Sequence, residues 1–136
     1  MIDYEFLYAF SKDILNLDKT IRWVGISNKL GVLLNVEQRE GLIPFMSEEE
    51  NEEYAANAIA RYKSRIKFES KIGKLLYAFG RYQKLNRATI PINDNFYLLI
   101  ALDVQTKDFD KIIMEKIIPH MEKEKHKFVS DDDIRK

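Results

Sequence analysis

The apolar residues of this chain change period several times along its length, and each change predicts an element. Phe6, Leu7, Phe10, Ile14 and Leu17 fall at helical spacing and predict an amphipathic helix from about Asp3 to Leu17. Asp18, Lys19 and Thr20 break that pattern. Residues Thr20 to Ser27 are rich in β-branched and aromatic types (Ile21, Trp23, Val24, Ile26), and Val32 to Val36 repeats the character, so two antiparallel strands are expected. Between them Gly31 can take the left-handed conformation that closes a short hairpin.

A loop through Arg39, Glu40, Gly41 and Pro44 leads to the clearest local signal. Ser47 followed by Glu50 is a capping box, in which the hydroxyl takes the N3 amide and the carboxylate reaches back to the cap amide. Glu48, Glu49, Glu50, Glu52 and Glu53 crowd the first turns, and Arg61, Lys63, Arg65 and Lys67 crowd the far end. Both groups oppose the helix dipole, each exposed charge contributing about 0.3–1 kcal/mol at low salt. Ala55, Ile59, Tyr62 and Ile66 form one apolar stripe, placing a helix at about Glu48 to Phe68.

Gly73 ends the transition, and three strand-like runs follow: Lys74 to Tyr82, Asn86 to Ile92 and Phe96 to Val104. The last is apolar on both faces and is expected at the centre of the sheet. Asn93, Asp94 and Asn95 form a turn before it. Phe109, Ile112, Ile113, Ile117 and Met121 describe a closing helix, kinked or loosened near Pro119. From Glu122 to Lys136 the chain is almost all charge, so the expected division is a domain over 1–121 and a frayed or disordered tail over 122–136.

Composition narrows the function classes. Lysine plus arginine and aspartate plus glutamate each number 22, so no global field draws in nucleic acid or anionic membrane. Cysteine is absent, which removes disulfides, thiolate metal sites and cysteine nucleophiles together and fits a reducing, cytoplasmic setting. No apolar run approaches the roughly 18 residues of a membrane span, and the acidic N-terminal residues lack the basic start of a secretory signal.

The order helix, two strands, helix, three strands, helix resembles the roadblock/LC7 (longin-like, profilin-like) superfamily. The stretches Thr20-Ile-Arg-Trp-Val-Gly-Ile-Ser-Asn, Gln38-Arg-Glu-Gly and Gly73-Lys-Leu-Leu-Tyr are also similar to an uncharacterised family of small archaeal proteins. The resemblance implies an α+β fold, a five-stranded antiparallel sheet of order 2-1-5-4-3 with three helices. It implies pairing of two copies through the middle helix and strand 3, and service as a scaffold or regulator of small GTPases. It carries over no catalytic residue. PAS and GAF sensors, the alternative, hold a small ligand between sheet and helices but place more helices between strands 2 and 3.

Candidate sites follow from this frame. An open edge at strand 3 invites another strand. Leu76, Tyr77 and Phe79 on it, with Ala55, Ala58, Ile59 and Tyr62 on the middle helix, form the expected dimer seam. The competing reading is that the alanines only seat the helix on its own sheet. Trp23, the single tryptophan, is either core or a partner anchor on an open sheet face. Arg61, Arg65 and Lys71 are candidate partner-binding residues, for phosphate or an acidic partner, in a basic run reaching Arg87 in which Glu69 is the only acid. A solvated face balancing the glutamates outweighs a nucleic-acid patch there, because the net charge is zero and no stacking motif accompanies it. His120 and His126, six apart, do not match the spacing of a helical metal pair, and Asp131, Asp132 and Asp133 lack the alternation and glycine turn of a calcium loop. No phosphate loop or nucleophile elbow is present, so neither an enzyme nor a cofactor is expected.

Overall fold

The computed structural model describes residues 2–130. Helix α1 (Tyr4–Leu15) starts at Asp3, whose carboxylate accepts the Phe6 amide at 3.0 Å. Strands β1 (Ile21–Asn28) and β2 (Leu33–Gln38) form the expected hairpin. The Asn28 side chain accepts the amides of Leu30 and Val32, and Gly31 sits at φ 83°. A β-carbon on Gly31 would lie 2.7 Å from the Ala56 Cα, so the turn also needs glycine to let the next helix approach.

That helix, α2 (Glu48–Ile66), carries the full capping box, with Glu50 N on Ser47 Oγ at 3.1 Å and Ser47 N on Glu50 Oε1 at 2.9 Å. A short helix, α3 (Glu69–Ile72), follows and stops at Gly73, φ 91°. The remaining strands are β3 (Ala78–Arg81), β4 (Leu85–Pro91) and β5 (Phe96–Asp103). The sheet order is β2-β1-β5-β4-β3, with antiparallel neighbours throughout. Pro91 ends β4 opposite Tyr97 and beyond the last residue paired with β3, so its missing donor costs the ladder nothing there.

The sheet lies between two helical layers. On one face Ile21, Val24, Ile26, Ile90, Leu98, Ile100 and Leu102 meet Leu7, Phe10 and Ile14 of α1 and Ile113, Ile117 and Met121 of the closing helix. On the other, Trp23, Leu99 and Ala101 meet Ala55 and Ala58 of α2, and Tyr97 meets Ile59 and Tyr62. Strand β5 therefore buries both faces, as its unbroken apolar run predicts. Each large side chain buried there contributes about 1.5–3 kcal/mol.

Three differences from the sequence expectations have physical causes. Strand β3 is shorter than Lys74–Tyr82, because residues before Ala78 are held by α2 and α3 instead of by a ladder. Tyr62 Oη donates to the Leu75 carbonyl at 3.2 Å, and Glu69 Oε2 accepts the Leu75 amide at 2.8 Å. The closing helix is loosened near Pro119 as expected, but it differs in being divided, running as α-helix over Phe109–Lys111, π-helix over Ile112–Ile117 and α-helix over Ile118–Glu124. The proline has no amide to donate, and the wider turn before it absorbs the break.

The third difference is the tail. Residues 122–130 were expected to fray on their charge. The helix instead runs to Glu124, a 3-10 turn spans Lys125–Lys127, and Phe128 is 4 % exposed. Its ring packs against Phe6, Phe10 and Phe96 at centroid distances of 4.9, 4.8 and 5.7 Å. One aromatic residue outweighs the charges around it because its burial completes the α1 face of the core. Asp131, Asp132 and Asp133 lie outside the described residues.

Candidate functional site

The expected seam residues divide between the interior and the surface. Ala55, Ala58, Ile59 and Tyr62 are buried against this chain's own sheet, where they seat α2. The outer face of α2 exposes Ala56, Asn57, Ala60 and Ser64 instead. Tyr77 and Phe79 are half-buried and turn towards the closing helix. Phe79 stacks on Phe109 at 4.0 Å, and Tyr77 donates its hydroxyl to Asp110. Burial and that hydrogen bond to a carboxylate push the Tyr77 hydroxyl up to about 12.

Leu76 is exposed, and it belongs to an apolar group that the sequence pattern did not single out. Phe68, Ile72 and Leu76 all face solvent around a cleft of about 610 Å³, also lined by Arg65, Lys67 and Lys74. The cleft sits where α2 ends and the chain turns towards β3. Strand β3 is the last in the sheet order, so its outer edge pairs with no strand among the described residues. Arg61 and Lys71 are exposed nearby, and the basic stretch is a surface feature as far as Lys84.

Arg87 is the exception to that stretch. It is 5 % exposed, on the α2 face of β4, and burial holds its guanidinium pKa below the ordinary value. Trp23 is buried on the same face, 4.8 Å from the Arg87 guanidinium, and the Tyr54 ring lies 3.7 Å away on α2. Trp23 is thus a wall of this site as well as core, and its ring sits over Gly25, where a β-carbon would approach it to 2.5 Å. The register explains the grouping, since Trp23 and Arg87 both lie opposite Ala101 of β5, from either side. Sequence reasoning grouped Arg87 with its exposed neighbours because charge alone does not report strand register.

At the adjoining end of the sheet Asp103 gathers two other arginines. Arg22 Nη1 reaches it at 3.2 Å, and Arg39 donates to both carboxylate oxygens at 3.0 and 3.1 Å. Arg39, read from sequence as part of a loop turn, therefore anchors the segment joining β2 to α2. His120 packs beside Phe10, with centroids 5.6 Å apart, and His126 is exposed. Among the described residues no group of three histidine, cysteine, aspartate or glutamate side chains could hold a metal ion, and no helix is long and apolar enough to cross a membrane.

No protein-family model and no curated protein sequence matches the chain. Its similarities lie among solved structures. An MglB structure described as having a tetrameric arrangement superposes with a TM-score of 0.69, covering 91% of this chain and 85% of that one at 10% identity. A roadblock/LC7 domain from Streptomyces avermitilis gives 0.69, covering 88% of this chain and 94% of that one at 6% identity. The fold is the roadblock/LC7 fold. MglB from Myxococcus xanthus agrees, with a TM-score of 0.63, 14% identity and coverage of 92% and 93%. At such identities what is shared with the roadblock/LC7 structures is the path of the backbone, and the side-chain surfaces described above are this chain's own.

Proposed function

We propose that the chain is a non-catalytic interaction module of the cytoplasm that pairs with a second copy of itself and serves a protein partner, a small GTPase being the class its fold suggests. The observation that carries this reading is the open β3 edge lying beside exposed Phe68, Ile72 and Leu76. An unpaired strand edge flanked by apolar side chains is stabilised when another chain covers both. The small residues on the outer face of α2 would let a second helix approach closely. Roadblock/LC7-fold neighbours include an MglB that assembles in a tetrameric arrangement.

Size-exclusion chromatography with light scattering tests the pairing. The expected result is twice the chain mass at micromolar concentration. Ile72→Asp combined with Leu76→Asp should return a monomer with an unchanged circular-dichroism spectrum, because both side chains are exposed and support no core. A wild-type monomer at every concentration would refute the seam. The GTPase is tested separately, by affinity capture on the wild-type chain with mass spectrometry of the retained proteins.

A further inference from the structure

Arg87 holds a formal charge in the interior with its hydrogen-bonding edge unused. Nε and Nη2 are both shielded from solvent and have no hydrogen-bond partner. Together those two atoms form the side-on fork with which a guanidinium grips a carboxylate through two parallel hydrogen bonds. The guanidinium's near neighbours are the Trp23 and Tyr54 rings, which stabilise a cation but accept no hydrogen bond from the fork's edge. Asp103, two residues along β5 from the Ala101 opposite Arg87, accepts its hydrogen bonds from Arg22 and Arg39. A buried donor pair left in this way carries a desolvation penalty that an arriving anion would relieve.

The surrounding space matches a particular kind of anion. Arg87 lines a small cavity of about 40 Å³, open on one side and walled also by Arg22, Trp23 and Ala101. It also lines an open cleft of about 440 Å³ that shares Phe45, Met46 and Leu85 with the cavity and is completed by Tyr54, Tyr82, Gln83 and Lys84. Those outer walls are largely apolar. We propose that this is a binding site for a small amphipathic carboxylate, its acid group on the Arg87 fork and its apolar body along Tyr82, Leu85 and Phe45. Half-exposed Phe45, carried by the segment between β2 and α2, lies against the Arg22 guanidinium at 4.6 Å where the cavity and the cleft meet. The site adjoins the β3–β4 turn, because Tyr82 directly follows Arg81 of β3, and all of its lining comes from one copy of the chain.

Trp23, the only tryptophan, reports on the site directly through its fluorescence. The full chain is titrated with phenylacetate and hexanoate, with 2-phenylethanol, acetate and inorganic phosphate as comparisons. The expected result is a saturable change with the two amphipathic acids, and a response at least about 10-fold weaker with the alcohol and with acetate. Arg87→Met should weaken phenylacetate about 10- to 100-fold, the loss expected for hydrogen bonds to a charged group. Tyr82→Ala, which leaves Arg87 in place, should weaken phenylacetate while leaving acetate unchanged. Equal responses to phenylacetate and 2-phenylethanol, or an unaltered phenylacetate titration in Arg87→Met, would overturn the proposal. So would saturation by phosphate in preference to the acids.

Discussion

Replacing Arg87 by methionine should make this protein more stable. The guanidinium is 5 % exposed, and its Nε and Nη2 donors have no partner. Each buried unsatisfied donor costs about 1–3 kcal/mol, so the pair costs about 2–6 kcal/mol relative to an apolar side chain of similar length. Against this stand the contacts with Trp23 at 4.8 Å and Tyr54 at 3.7 Å, worth roughly 0.5–2 kcal/mol each. Methionine recovers part of that through sulfur–aromatic contact, about 0.3–1.5 kcal/mol. Taking the middle of each range, the balance favours Arg87→Met by about 2 kcal/mol. For a chain of 136 residues this is a rise in melting temperature of roughly 3–10 °C. Urea titration and a thermal scan at pH 7 without added carboxylate measure it. Arg87→Lys should do the opposite, losing about 2 kcal/mol, because a compact, strongly hydrated ammonium fills the slot between two rings poorly. A destabilisation of more than about 2 kcal/mol in Arg87→Met would show that the rings more than compensate the buried charge. The case for a missing anion would then fall.

Two further outcomes follow from the packing and the charges. Phe128→Ala should cost about 3–5 kcal/mol by urea unfolding, because the ring fills a pocket among Phe6, Phe10 and Phe96; a loss below about 0.5 kcal/mol would mean that the C-terminal turn does not hold the core. Burial raises the Asp18 carboxyl, but hydrogen bonds from Lys116 and Thr20 outweigh it and bring its pKa from 3.8 down to about 2. Its folded-state value is depressed, so its contribution is present above about pH 4 and is lost as the pH falls towards 2. Allowing for partial exposure, that contribution is about 1–2 kcal/mol. The urea midpoint of Asp18→Asn should therefore fall less than that of the wild type between pH 5 and pH 2.5, and parallel profiles would refute the assignment.

Local residue patterns set the order and type of every element except the short helix α3 and the 3-10 turn at Lys125–Lys127. Period-two and period-3.6 spacing, the Ser47–Glu50 box, the Gly31 turn and the doubly apolar run at Phe96 are local signals, each set by residues within a few positions of one another. They were enough to indicate a five-stranded sheet with the Phe96 strand at its centre. Tertiary structure decided which side of each element faces inwards. Ala55 and Ala58 of α2 read from sequence as a seam or as a seat, and only packing against Trp23, Leu99 and Ala101 makes them a seat. Arg87 reads as one more charge in a basic run until the register places it between Trp23 and Tyr54. Phe128 is a lone aromatic residue among charges until α1 and β5 supply its pocket. Burial of a side chain depends on residues distant in sequence, so spacing along the chain reports the element, and only the assembled layers report the environment.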